Sequence, residues 1–158
     1  MAILINKDSK VIVLGITGKS GALQTKAMLD AGTDIVAGVT PGKGGQEVYG
    51  VPVYNFVSEA AAEHEFDTAI CFVPPFAAKD SCYEAIDAGV GLVVLTTEEM
   101  ELNDSVEIIE YAHAHGATLV GPGCAGVLAP EECKGGAHPI RFFKKGHVGV
   151  VSKSGAKR

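Results

Sequence analysis

The stretch that decides the fold is KVIVLGITGKSG, residues 10–21, in which an apolar run leads directly into a glycine-rich turn. The apolar residues at 11–14 are consecutive rather than alternating, which is typical of a central parallel strand buried on both faces. Residues 20–31 follow with apolar side chains at helical spacing and end before Gly32, a helix stop signal. This order predicts the first βα unit of a parallel sheet.

The same alternation of strand-like and helix-like segments continues along the chain. Strands are predicted at residues 35–39, 51–54, 68–73, 92–95, 118–120 and 147–152, and helices at 58–64, 77–87 and from Asn103 or Asp104 to His115. Pro52 indicates an edge strand, because proline cannot donate to a central ladder, and Ser58 is predicted to cap its helix. We find no repeat or linker, so the sequence predicts one α/β domain over residues 1–158, with a doubly wound parallel sheet.

Composition argues against three classes of protein. There are 13 Lys and Arg against 19 Asp and Glu, a formal net charge of −6, whereas binding to a nucleic-acid backbone requires a basic face. Hydrophobic residues make up 47% of the chain and charged residues 20%, so it can form a packed core and is not disordered. No apolar run approaches the roughly 18 residues of a membrane span, and no signal peptide is recognisable. We expect a cytoplasmic protein without a nucleic-acid or membrane partner.

The cysteines and histidines do not predict a metal site. The four cysteines are too far apart for a CxxC motif, and a chain of 158 residues needs no disulfides to fold. His113 and His115 are two residues apart in a predicted helix, where their side chains point about 200° apart.

The loops that follow the strands carry the candidate site, because open α/β sheets bind ligands beyond the carboxyl ends of their strands. The first loop, residues 15–21 (GITGKSG), combines glycines that permit close backbone approach with a helix N-terminus that attracts phosphate. Thr17, Lys19 and Ser20 add hydroxyl and ammonium donors. The turn predicts a phosphorylated cofactor without distinguishing NAD(P) from others, and a tight turn that binds nothing is the alternative.

The second loop, residues 40–45 (TPGKGG), narrows the choice of cofactor. An NAD-binding domain normally places Asp or Glu at the end of the preceding strand to hold ribose hydroxyls. Val39 and Thr40 occupy that place here. Lys43 suits a terminal phosphate or a ribose phosphate, which favours NADP or coenzyme A (CoA); a solvated loop lysine is the alternative.

Four further segments follow predicted strands: residues 73–76 (VPPF), 95–98 (LTTE), 121–126 (GPGCAG) and 152–155 (SKSG). An aromatic ring in the first could cover an apolar part of a ligand, and the hydroxyls of the last could bind phosphate if a helix began there. The candidate residues in these segments are Phe76, Thr96, Thr97, Glu98, Gly123, Cys124, Ser152 and Ser154.

Together these loops resemble the α subunit of succinyl-CoA synthetase and its relatives, the malate–CoA ligases, citryl-CoA synthetases and ATP-citrate lyases. The resemblance runs from Ile3 to Gly155, and GVTPGKGG at residues 38–45 is its most specific mark. Its other marks are ILI-K at 3–7, the G-x-T-G-x-x-G turn, V-P-V-Y/F-N at 51–55, KDS at 79–81, EAIDAG at 84–89, GP-x-C-x-G at 121–126 and VSKSG at 151–155.

The resemblance implies a Rossmann-like domain that binds CoA. It implies that Thr17, Gly18, Lys19, Ser20 and Lys43 hold the CoA phosphates, that Val39 and Pro41 line the nucleotide, and that Thr96, Thr97 and Glu98 contact CoA.

The family reaction joins a carboxylate to CoA at the expense of ATP or GTP, through an acyl phosphate and a phosphohistidine; with succinate it is a step of the tricarboxylic acid cycle. The resemblance implies a nucleotide-binding β subunit as partner, and phosphate contacts from Ser152 and Ser154.

The sequence departs from the family pattern in two ways. Residue 123 is Gly where the family usually has Asn, near the point of acyl transfer, and the chain stops at Arg158, before the relatives' phosphohistidine domain. We therefore expect the chain alone to bind CoA without completing the ligase reaction, and assign it no catalytic residue.

Two other functions compete with a ligase subunit. A stand-alone CoA-binding module, regulatory or carrier in role, would bind CoA without a partner. An NAD(P)-dependent oxidoreductase is the least favoured, because no acidic residue follows the second strand and no Tyr-x-x-x-Lys pair is suitably placed. With the family's partner surface uncovered, the apolar composition also predicts some self-association into homo-oligomers.

Overall fold

The computed structural model describes residues 3–153. The chain order is β1 (Lys10–Leu14), α1 (Lys19–Asp30), β2 (Asp34–Val39), β3 (Glu47–Val48), β4 (Val51–Tyr54), α2 (Val57–Glu63), β5 (Thr68–Cys71), α3 (Pro75–Asp87), β6 (Leu92–Leu95), α4 (Leu102–Ala114), β7 (Thr118–Val120), β8 (Gly126–Ala129) and β9 (Cys133–Gly136), followed by a short 3-10 helix at Ile140–Phe142.

Within residues 3–153, strands β1 to β7 form one sheet in the order β3-β4-β2-β1-β5-β6-β7. The β3–β4 pair is antiparallel and every other pair in this sheet is parallel. The chain moves from β1 towards β4 on one side and from β5 towards β7 on the other, which is the order of a doubly wound, Rossmann-like sheet. The predicted fold class is confirmed.

The central strands are buried on both faces, as their uninterrupted apolar sequences predict. Every residue of β5 and β6 is buried, and so is every residue of β1 after Lys10. One core cluster packs α2, α3 and α4 against the sheet, and a second packs α1 and the β8–β9 hairpin against the other face. Burying each Val, Leu or Ile side chain stabilises the fold by about 1.5–3 kcal/mol.

The β8–β9 hairpin was not predicted from the sequence. Its second strand reads CKGG, which carries no strand signal of its own. The hairpin is fixed by a residue far away in the chain. The Thr33 hydroxyl donates to the carbonyl of Lys134 at 2.8 Å and accepts the Lys134 backbone N–H at 2.9 Å.

The side chain of Lys134 gives a prediction about stability. Lys134 is only 4% exposed and its ammonium group donates to Gln24 Oε1 at 3.4 Å. Burial lowers the pKa of Lys134 below its ordinary value of 10.5. The protonated side chain therefore destabilises the fold at neutral pH. This penalty decreases as pH rises through the folded-state pKa and is absent above about pH 10.5, where the amine is neutral in both states.

Lys134→Met is therefore expected to raise the free energy of unfolding at about pH 7 by on the order of 1 kcal/mol. The gain should shrink at about pH 10, where the wild-type amine loses its proton more readily. Urea unfolding at both pH values measures it. Lys26→Met is the matched control, because Lys26 is exposed in an ion pair with Asp30 and its loss should change stability by less than about 0.5 kcal/mol. A destabilised Lys134→Met protein would contradict the prediction.

The predicted N-capping residues of two helices were wrong. Helix α2 begins at Val57 instead of Ser58, and the Glu59 carboxylate, not the Ser58 hydroxyl, accepts the backbone N–H groups of Asn55 and Phe56. Helix α4 begins at Leu102, so Asn103 and Asp104 lie in its first turn instead of capping it. The Asp104 carboxylate instead pairs with Lys79 at 2.7 Å.

Strand β5 ends at Cys71 instead of residue 73. Two further predictions about strands were wrong. Strand β4 is not the edge, because β3 pairs along its outer side. Residues 147–152 form no strand, and Val148, Val150 and Val151 are 88%, 77% and 92% exposed. Three valines within four residues predict a strand locally, but no described strand pairs with this segment, and β7 pairs with β6 alone among the described strands.

Candidate functional site

The strand order creates a crevice at the carboxyl ends of β1 and β5, where the chain leaves neighbouring strands in opposite directions. The two loops touch there. The Phe72 N–H donates to the Leu14 carbonyl at 2.9 Å, and a Cβ atom at Gly15 would lie 2.9 Å from the Phe72 carbonyl oxygen. Glycine is thus required at residue 15 both by this approach and by its φ of +78°.

The predicted phosphate-binding turn is a helix N-terminus open to ligand. Gly18 is the N-cap of α1, no side chain caps the helix, and its first turn carries no acidic residue. The first N–H groups of a helix lack intrahelical partners and carry the positive end of its dipole. Lys19 and Ser20 are exposed at this end, which is the arrangement that attracts phosphate.

The second predicted loop is joined to the first. The backbone N–H of Thr17 donates to Thr40 Oγ1 at 3.4 Å, and the Thr40 hydroxyl donates to the Val39 carbonyl at 2.9 Å. The Val39 side chain is packed in the core, so only its backbone faces the turn, where its carbonyl accepts the Gly15 N–H. Pro41 is exposed.

Lys43 projects from this loop as an exposed cation. Lys10, Lys26, Lys79 and Lys145 form ion pairs, but among residues 3–153 no carboxylate pairs with Lys43. Its backbone N–H donates to the Thr40 carbonyl at 3.0 Å, which tightens the loop. An unpaired ammonium on a loop that is joined to the α1 turn suits a second phosphate.

Sequence reasoning missed the residue that holds this loop. The side-chain oxygen of Asn55, at the end of β4, accepts the N–H groups of Gly42 at 2.9 Å and Gly44 at 3.0 Å. The only sequence signal is a polar residue directly after a strand, in the VPVYN motif. A cavity of about 250 Å³ lies beside this loop, lined by Gly44, Gly45, Gln46, Glu47, Pro52, Val53, Tyr54, Asn55 and Glu59.

Thr96 and Thr97 tie neighbouring loops together. The Thr96 hydroxyl donates to the Cys71 carbonyl and the Thr97 hydroxyl to the Val73 carbonyl, both at 2.7 Å. The Thr97 carbonyl accepts the Gly123 N–H at 2.8 Å, so the loops after β5, β6 and β7 are joined. Because both hydroxyl protons are used, these side chains can only accept hydrogen bonds from a ligand.

The remaining predicted site residues differ in how exposed they are. Phe76, in the first turn of α3, is 87% exposed, and Glu98 is exposed too. Cys124 is half-buried, and its thiol lies 3.3 Å from the Leu95 carbonyl and 3.4 Å from the Val120 carbonyl. Burial raises the pKa of Cys124, so it is a protonated thiol at neutral pH and a poor nucleophile. Ser152 lies in the exposed segment at the end of the described residues, and Ser154 lies outside them.

Comparison with known proteins identifies the family. Residues 6–99 match the family described as the CoA binding domain. The chain belongs to this family. It is 52% identical to the α subunit of succinate–CoA ligase (ADP-forming) from Staphylococcus epidermidis and 50% identical to α subunit 1 of that ligase from Archaeoglobus fulgidus. Both matches cover 98% of this chain, and 51% and 53% of the relatives.

The chain thus spans about half the length of the curated relatives it matches. Among solved structures, ATP citrate lyase from Methanothrix soehngenii, in complex with citrate and coenzyme A, has a TM-score of 0.74 at 21% identity, over 85% of this chain and 24% of that one. This likeness concerns the fold. The predicted resemblance to succinyl-CoA synthetase α subunits and the prediction of a CoA-binding domain are confirmed by the family and relative matches.

Within residues 3–153, no helix is long and apolar enough to cross a membrane. The same residues contain no group of three or more His, Cys, Asp or Glu side chains arranged to hold a metal ion.

Proposed function

We propose that this chain is the CoA-holding part of the α subunit of an acid–CoA ligase that forms ADP or GDP. The observation that carries this proposal is the CoA-binding family match over residues 6–99, in a chain whose second strand ends without the acidic residue of an NAD site. The helix N-terminus at Gly18 and the unpaired Lys43 ammonium supply donors for the phosphates of CoA.

Each predicted cofactor-binding residue has a proposed part in binding CoA. The α1 turn holds the diphosphate, Lys43 binds a terminal or ribose phosphate, and the backbone at Val39 and the ring of Pro41 border the nucleotide. Phe76 covers an apolar portion of CoA, and Glu98 lies on the CoA-facing loop that Thr96 and Thr97 hold in place. The proposed diphosphate ligands are Thr17, Gly18, Lys19 and Ser20.

As part of a ligase, the bound CoA would take part in acyl transfer. The CoA thiol displaces phosphate from an acyl phosphate and forms a thioester, close to Gly123 and Cys124. Ser152 and Ser154 are proposed ligands of that phosphate. A nucleotide-binding β subunit is the proposed partner, in keeping with the α-subunit names of the relatives. A cytoplasmic location is proposed too, because the four cysteines are free.

Calorimetric titration of the purified chain with CoA, NAD⁺ and NADP⁺ tests the proposal. We expect saturable binding of CoA. NAD⁺ should not bind, because the end of β2 offers no carboxylate to a ribose, and NADP⁺ should not bind, because residues 6–99 match a CoA-binding family. Binding of a nicotinamide dinucleotide without binding of CoA would overturn the proposal in favour of a dehydrogenase.

A further inference from the structure

Asn55 holds the loop that carries Lys43 on both sides of the lysine. Its Oδ1 atom accepts the N–H of Gly42 at 2.9 Å and the N–H of Gly44 at 3.0 Å. Since two backbone donors face the same atom, that atom must be the carbonyl oxygen of the amide and not its nitrogen. The two bonds fix the Pro41–Gly42 peptide unit, one residue before Lys43, and the Lys43–Gly44 peptide unit immediately after it.

Asn55 is itself held in place by its surroundings. The Glu59 carboxylate accepts the Asn55 backbone N–H at 2.9 Å. A Cβ atom at Gly44 would lie 2.5 Å from Asn55 Nδ2, so the glycine makes room for the amide. Main-chain bonds from Thr40 to Tyr54 and from Gly45 to Val53 join both ends of the loop to β4. The two ends of the loop are thus bonded to β4, and Asn55, directly after β4, holds the middle of the loop.

We propose that Asn55 is a positioning residue that orients the Lys43 ammonium towards a phosphate of CoA. This inference rests on the proposed function. The amide suits the place better than a carboxylate, because a negative charge beside Lys43 would compete with the phosphate for the ammonium. Residues 41–47 are all exposed, so without Asn55 the loop has little packing to order it and must lose conformational freedom when the ligand binds.

A double-mutant cycle between Asn55 and Lys43, read out as CoA affinity, tests this proposal. Asn55→Ala is expected to weaken CoA binding about tenfold in the wild-type background, because two loop hydrogen bonds are lost. In the Lys43→Ala background the same change should cost less than about twofold, since the ammonium that Asn55 orients is gone. Asn103→Ala, at an exposed site on α4, is the matched control and should leave affinity unchanged.

The Asn55→Asp variant distinguishes the effect of an ordered loop from the effect of a negative charge beside Lys43. Its carboxylate can still accept both N–H groups, so hydrogen exchange at Gly42 and Gly44 should stay slow, whereas in Asn55→Ala it should become faster. CoA affinity of Asn55→Asp should nevertheless fall, and its deficit relative to the wild type should shrink as added salt screens the charges. Thermal unfolding establishes that each variant is folded at the titration temperature.

Three results would overturn the assignment. Unchanged CoA affinity in Asn55→Ala would show that the loop needs no such support, and an equal loss in both backgrounds would show that Asn55 acts independently of Lys43. Absence of CoA binding by the wild-type chain would overturn the proposed function, and this assignment with it.

Discussion

Replacing Gly21 by Ala is expected to destabilise the chain by a net amount of about 2 kcal/mol. Gly21 is buried in the first turn of α1, and a Cβ atom there would lie 2.1 Å from the Gly15 carbonyl oxygen and 2.9 Å from its carbonyl carbon. Both are backbone atoms and cannot rotate away. Overpacking of this kind costs up to about 3 kcal/mol, which outweighs the gain of about 1 kcal/mol from alanine's higher helix propensity.

The same change should weaken CoA binding, because relieving the clash separates the α1 N-terminus from the turn that it completes. Urea unfolding measures the stability and calorimetry the affinity, at a temperature where the variant is folded. Gly91→Ala is the matched control, since its Cβ atom would meet only the Asp67 carbonyl oxygen, at 4.0 Å. A Gly21→Ala protein as stable as the wild type would contradict the packing of α1 on the Gly15 turn.

Lys43→Ala is expected to raise the dissociation constant for CoA by about thirtyfold. A hydrogen bond to a charged group contributes about 2 kcal/mol, and thirtyfold is the corresponding change in affinity. Among residues 3–153 no carboxylate pairs with Lys43, so its removal breaks no ion pair of the fold, and stability should change by less than about 0.5 kcal/mol. Calorimetry at low and moderate salt measures the effect, which should shrink as salt screens the charges.

Lys26→Ala and Lys43→Arg serve as controls. Lys26 lies on the exposed side of α1 in an ion pair with Asp30, so its loss should leave CoA affinity unchanged. Arginine at residue 43 keeps the positive charge and should keep most of the affinity. If Lys43→Ala bound CoA as tightly as the wild type, Lys43 would be a solvated loop lysine, and the phosphate would have to lie elsewhere in the crevice.

The fold was predictable from the sequence where the pattern is local. Apolar runs at β1, β5 and β6 predict buried parallel strands whatever their neighbours, because such strands lose water on both faces. Helix α3 was predicted to begin at Ala77 and begins at Pro75, a residue type suited to the first helical position. The β8–β9 hairpin was not predictable, because the Thr33–Lys134 contact that fixes it joins residues 101 positions apart.

The candidate site was predictable to a similar degree. The glycine turn and Lys43 were predicted as phosphate ligands from their residue types, and the structure places both in loops that follow strands of the sheet. The hydroxyls of Thr96 and Thr97 were predicted as ligand contacts, but the structure shows that their protons bind the Cys71 and Val73 carbonyls, partners that come close only when β5 and β6 pair. Asn55 was missed for the same reason, since its partners lie 11 and 13 positions away in another loop.

The sequence by itself thus determined the doubly wound sheet and the position of the glycine turn that begins α1, because hydrophobic periodicity and glycine chemistry act within a few neighbouring residues. Only the tertiary structure decided that residues 147–152 form no strand, that Thr96 and Thr97 join loops, and that Asn55 orders the Lys43 loop. Burial and hydrogen bonding at these residues depend on which distant segments meet, and no local pattern encodes that.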